Sequence, residues 1–189
     1  MTLQLNVPTS QVTAVRSVAL GALLGLTWAA GLRGWMTHVA GDESRYTWIG
    51  TFVCLLLPGL LTGGLLGLAQ HLRQSEQRPP WARWLICSPL LFPVGVLAIP
   101  GAIPHLLRTG EGSSSIAVVL LAMLGAYALA GRGPKWWRIV CGVIGFALVP
   151  AMLAGTLSTP KNAWGGILFA CMYVLLALAC TIPLHLREQ

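Results

Sequence analysis

The sequence predicts an all-α integral membrane protein. It is read as one domain over residues 1–189, a bundle of six transmembrane helices with both termini cytoplasmic. Three observations predict this. The chain is 56% hydrophobic and 9% charged, against about 25% charged in an ordinary soluble domain. Its apolar residues fall in six runs, each close to the length of about 20 residues that crosses a hydrocarbon core of about 30 Å. Its basic residues divide unevenly between alternate connections.

The spans follow in order. The first covers about Ser17 to Thr37, the second Trp48 to Gln70, and the third Trp84 to Leu107. The fourth, about Ser114 to Gly131, is the shortest; Ile139 to Leu157 and Trp164 to Leu184 complete the set. Backbone polar groups in lipid must be satisfied within each span, which makes these runs helices. Short connections make sequential helices antiparallel neighbours.

Orientation comes from charge. One side carries Arg16, Arg73, Arg78, Arg83, Arg132, Lys135, Arg138 and Arg187; the other carries Arg45, Arg108 and Lys161. The richer side is cytoplasmic by the positive-inside rule. Trp35, Trp48, Trp81, Trp84, Trp136, Trp137 and Trp164 lie at expected helix ends, where indole bridges lipid and water, while Trp28 lies inside a span. Arg78-Pro-Pro-Trp-Ala-Arg-Trp84 and Arg132-Gly-Pro-Lys-Trp-Trp-Arg138 look alike. The likeness does not continue into the following helices, so it reads as convergent anchoring.

The formal net charge of +7 is scattered over loops with no basic stripe. This excludes nucleic acid as the expected partner and favours anionic membrane lipids. Cys54, Cys87, Cys141, Cys171 and Cys180 all sit in apolar runs and read as small buried hydrophobes without disulfides. The polar start, Met1 to Val15, does not look like a cleavable leader.

Gly59, Gly63 and Gly67 line one face of the second helix, and Gly21 and Gly25 repeat the spacing on the first. Such faces admit close backbone packing, within the chain or in a homo-oligomer. The third helix carries Pro89, Pro93, Pro100 and Pro104 near one face. Each proline frees the carbonyl four residues earlier, at Leu85, Pro89, Val96 and Pro100 if the helix is regular.

Arg33 is the leading candidate for function, being a cation inside an apolar run. It lies about four residues, or about 6 Å of rise, from the expected end of the first helix. Side chains tilt toward a helix's N-terminus, so Arg33 starts out directed back toward the bilayer centre. The carbonyls of Val96 and Pro100 are expected acceptors for its five donors. Trp28, Trp35, His105 and Glu111 join it as expected ligand contacts. His38, Asp42 and Glu43 are the candidate acid–base groups. No histidine lies at mid-membrane depth, no metal motif or nucleotide fingerprint occurs, and no cofactor is expected.

Trp28-Ala-Ala-Gly-Leu-Arg33-Gly-Trp35-Met36, then Asp42-Glu43, then Thr47-Trp48-Ile-Gly-Thr51 resembles a pattern in small multi-pass membrane proteins of high-GC bacteria. The resemblance covers about 25 residues; it implies a bacterial inner-membrane protein but no particular activity, and it draws weight to Arg33 and the following loop. In that pattern an aromatic follows the acidic pair closely, whereas here Ser44-Arg45 precede Tyr46. Three functions fit the sequence: a site binding or processing a lipid or small hydrophobic or anionic molecule, a small permease, or a non-catalytic assembly protein.

Overall fold

A computed structural model describes residues 9–41, 46–75, 79–98, 113–131, 133–156 and 160–185, together with Pro104 and Arg108. Every described element is a helix. Helix α1 is Thr9–Ala40. Helix α2 consists of Ile49–Leu56 and Leu57–Gln74, and α3 of Pro80–Leu90 and Leu91–Leu97. Helix α4 is Ser113–Leu129, α5 consists of Lys135–Phe146 and Leu148–Thr156, and α6 is Pro160–Leu184. Five of these are long and apolar enough to cross a membrane, and the apolar part of α4, Ile116–Leu129, is shorter. Many large apolar side chains face outward, among them Leu24, Phe52, Val143, Ile167 and Leu175. Length, composition and apolar exterior are together those of a multi-pass membrane protein.

The elements end and bend where their residues dictate. Helix α1 runs past the expected Thr37 and stops at Gly41, whose φ of +58° lies in the left-handed region that glycine enters without penalty. The Thr47 hydroxyl accepts from the Gly50 N–H at 3.1 Å and so caps the start of α2. Residues Ile49–Leu56 then form a π-helix, and Pro58 follows at once. Proline cannot donate, and its ring crowds the carbonyl four residues back, that of Cys54. The wider π geometry relieves that crowding.

Two prolines likewise disrupt α3. Pro80–Leu90 is a 3-10 helix containing Pro89, and the α-helical turns begin only at Leu91, two residues before Pro93. The sequence reading assumed α geometry when it named the orphaned carbonyls. In the tighter helix the donor–acceptor offset is three, and at its end the Ser88 carbonyl accepts from the Leu91 N–H and from one side chain besides. The buried Thr62 hydroxyl of α2 donates to it at 3.0 Å. Gly95 of α3 lies against the bend in α2, where a Cβ would be 3.1 Å from Pro58 Cγ. The two irregular helices are therefore neighbours.

Packing centres on small residues. A Cβ on Gly25 would come within 2.8 Å of Gly63 Cα, and one on Gly63 within 2.8 Å of Gly25 Cα. Gly21 meets Gly63 and Gly67, and Gly67 meets the Ser17 carbonyl. Helices α1 and α2 thus run antiparallel in backbone contact, which residues with side chains would forbid. A second close crossing joins α4 to α5, where a Cβ on Gly145 would lie 2.8 Å from Gly125 Cα. Tyr173 of α6 donates its hydroxyl to the Gly145 carbonyl there. Helix α6 presents Phe169, Tyr173, Leu176, Ala177 and Cys180 as one buried stripe at helical spacing, and it packs against each of the other five helices.

Some expectations change. Trp35 is only 8% exposed and lies 4.5 Å from the Phe169 ring, so it belongs to the core and is not an interfacial anchor. Because α1 continues beyond it, its indole faces α6 where lipid headgroups were expected. Trp48, Trp81, Trp84, Trp136, Trp137 and Trp164 are exposed. Cys54 and Cys180 are buried as expected, but Cys87 and Cys171 are exposed and Cys141 is half-buried; all five thiols are free. The apolar exterior accepts a thiol as readily as the core does.

Candidate functional site

The site is built on the last two turns of α1. Arg33 is half-buried and lies seven residues before Ala40, about 10 Å of rise from that end, where about 6 Å was expected. The close glycine pairing sets what stands opposite. Ser17 meets Gly67, Gly21 meets Gly63 and Gly25 meets Gly59. The seam runs on to Ala29, which faces Gly59; beyond it α2 is the π-helix Ile49–Leu56, which also packs against α1, and Arg33 lies one turn past Ala29. The small-residue seam that draws the helices together therefore ends where the cation begins.

Tyr46 closes over that cation. The Arg33 guanidinium carbon lies 4.4 Å from the centroid of the Tyr46 ring, well inside the range of a cation–π contact. The Thr37 hydroxyl donates to the Arg33 carbonyl at 2.9 Å. Its single proton being used there, the Tyr46 hydroxyl is the donor in their 2.7 Å contact. Arg33, Thr37 and Tyr46 thus form one linked unit. The ring occupies the guanidinium face, while the guanidinium N–H donors lie in its plane, so stacking and hydrogen bonding coexist.

His38 stands one turn beyond Arg33, against α6. A Cβ on Gly165 would come within 2.6 Å of His38 Cδ2 and 2.7 Å of Nε2, so the absence of a side chain at Gly165 makes room for the imidazole. Trp28 serves the scaffold: its indole N–H donates to the Met172 carbonyl of α6 at 2.9 Å, and its ring meets Phe92 of α3 edge-on at 5.7 Å. Trp35 and Thr51 are both buried, and neither the Trp35 indole nitrogen nor the Thr51 hydroxyl has a hydrogen-bond partner among the described residues.

Of the residues singled out in the sequence, Arg33, Trp28, Trp35 and His38 all lie on α1, within three turns of one another. Val96 is half-buried on α3, whose chief neighbours are α2, α4 and α6; α1 meets α3 through Trp28 and Phe92. At the guanidinium itself stands the Tyr46 ring. Asp42, Glu43, Pro100, His105 and Glu111 lie outside the described residues. Gly59, Gly63 and Gly67 face α1 of the same chain, so an oligomer formed through them would first have to displace α1.

Sequence reasoning missed Tyr46, Thr37 and Gly165. Thr37 was legible as the residue one turn after Arg33. Tyr46 is the aromatic following Asp42-Glu43, and its contact required knowing that the chain folds back over α1. Among the described residues no three His, Cys, Asp or Glu side chains converge on a point that would hold a metal ion. No protein family, curated protein or solved structure matches the chain.

Proposed function

We propose that this is a six-span bacterial inner-membrane protein with cytoplasmic termini, whose outward-facing site on α1 holds the anionic part of a lipid or of a small amphiphile. The observation that carries this reading is the half-buried Arg33 guanidinium stacked on Tyr46 near the Ala40 end of α1. A cation in an apolar span is expensive and is retained where it has work to do. Tyr46 positions its plane, and the in-plane fork suits the two oxygens of a phosphate or carboxylate. His38, one turn farther out, supplies a proton donor or acceptor at the same end, with Asp42 and Glu43 following in the loop.

The orientation is supported by Arg16, Arg73, Arg83, Lys135 and Arg138, which all belong to the end of the bundle opposite Arg33. Reporter fusions to the loops at Ser75 and at Arg108 test it; outward placement of Ser75 would reverse the assignment. The binding role is tested by comparing lipids co-purified with wild type and with Arg33→Gln. Wild type carries an enriched anionic species that the variant loses. Identical lipid profiles would refute the role.

A second reading, a small permease, is favoured by the juxtaposition of two broken helices. The π-to-α bend of α2 and the 3-10-to-α change in α3 meet at Gly95 and Pro58, and discontinuous helices of this kind form moving parts in transporters. Under that reading, Gly95→Val blocks flux of the amphiphile through proteoliposomes while leaving it bound at Arg33. Unchanged flux would remove this second reading.

A further inference from the structure

A separate site lies at the other end of the bundle, and it does not depend on the Arg33 reading. A cleft of about 310 Å³ opens between α2 and α3, lined by Leu65, Trp81, Trp84, Cys87, Ser88 and Leu91 among others. That volume falls at the lower end of small-molecule pockets. Leu85 of its wall belongs to a small core shared with Ala69 and Ala82. On the α3 side its wall from Trp81 to Ser88 belongs to the 3-10 stretch, which is narrower than an α-helix.

We propose that this cleft binds one acyl chain of an anionic phospholipid, from the leaflet on the Arg83 side. Four features select that occupant. The wall is apolar, as an acyl chain requires. Trp81 and Trp84, both exposed, stand at its edge, which sets its depth just beneath the headgroups. Arg83 lies at the same level, its guanidinium 5.7 Å from the Trp84 ring, and supplies positive charge where a lipid phosphate would sit. Finally, Ser88 is 5% exposed and its hydroxyl oxygen is buried with no partner among the described residues. A buried hydroxyl without a partner is costly. A small rotation of the Ser88 side chain into the cleft brings it to the ester carbonyl at the head of the chain.

The test is native mass spectrometry of the full-length protein after equilibration with phosphatidylcholine alone or mixed with phosphatidylglycerol. Wild type retains phosphatidylglycerol in preference to phosphatidylcholine. Arg83→Gln, at an exposed position, lowers that retention about fivefold, the worth of one basic residue at an anionic surface. Cys87→Phe fills the cleft from its exposed wall and removes this lipid, while the lipid at Arg33 persists and is removed separately by Arg33→Gln. Should Cys87→Phe fail to fold, bulky maleimide modification of Cys87 in folded Cys171→Ala protein fills the same space. Equal retention of the two lipids by wild type, or undiminished retention with the cleft filled by either route, overturns the proposal.

Discussion

Gly63→Ala and Gly64→Ala place the same methyl group on adjacent positions of α2 and should have opposite effects. At Gly63 the new carbon would lie 2.8 Å from Gly25 Cα and 2.9 Å from Gly25 N, and it would also run into the Gly21 carbonyl. Carbon pairs are most favourable at about 3.5–4.0 Å, so α1 and α2 must separate by roughly 1 Å along their closest stretch. Every obstructing atom is backbone, and none can rotate away. A gap of about 0.5–1 Å forfeits a quarter to a half of each contact, and overpacking of this kind costs about 1–3 kcal/mol. At Gly64 the nearest atoms are Ala22 Cβ at 3.6 Å and Val18 Cγ1 at 3.7 Å, an ordinary contact. There the helix-propensity gain of about 1 kcal/mol from replacing glycine is unopposed. Both variants receive that gain, so the difference between them isolates the steric effect. Unfolding in mixed micelles titrated with a denaturing detergent should place Gly63→Ala about 1–3 kcal/mol below Gly64→Ala. If Gly63→Ala is as stable as Gly64→Ala, the helices are not in backbone contact and the register that pairs Gly25 with Gly63 is wrong.

Other outcomes follow from single contacts. Tyr46→Ala should destabilise the α1 end by about 0.5–2 kcal/mol through the lost cation–π contact; Tyr46→Phe should keep most of this, as judged by thermal unfolding of both. Gly165→Ala should displace the His38 imidazole, visible as a changed His38 ring resonance in NMR; an unmoved resonance would show that the two do not touch. Thr62→Val should cost about 0.5–1.5 kcal/mol by removing one of the two donors to the Ser88 carbonyl, which keeps the Leu91 N–H. The two 3.3 Å contacts from Arg138 Nε and Nη2 to the Ala128 carbonyl cap the last turn of α4. Arg138→Gln should accelerate amide exchange in that turn, and unchanged exchange would deny the cap.

The apolar, helical character of the chain was legible because hydropathy over about 20 residues is a strong signal, and five of the described helices are long and apolar enough to cross a membrane; the glycine spacing marked faces of α1 and α2 that lie against each other. The bends were legible only as locations. Pro58, Pro89 and Pro93 mark where regular α geometry fails, but whether the chain then widens to a π-helix or tightens to a 3-10 helix depends on neighbours such as Gly95 and Thr62. With that choice unknown, the Thr62 bond to the Ser88 carbonyl could not be read from the proline positions. Trp35 was read as an anchor because the first helix was ended at Thr37. Gly41, free to enter the left-handed region, was the true stop signal, and the added turn leaves Trp35 inside the bundle. Arg33 stood out as a lone charge among apolar residues. Its aromatic partner did not, because Tyr46 reaches it only through a reversal of the chain that no local pattern encodes.

The decisive measurement is an experimental density map of the protein in a bilayer containing anionic lipid, inspected at Arg33. The account predicts headgroup density in the plane of the guanidinium, within hydrogen-bonding distance, with Tyr46 stacked on its face. A guanidinium wholly occupied by Asp42 or Glu43, with lipid excluded from the Ala40 end of α1, would contradict it.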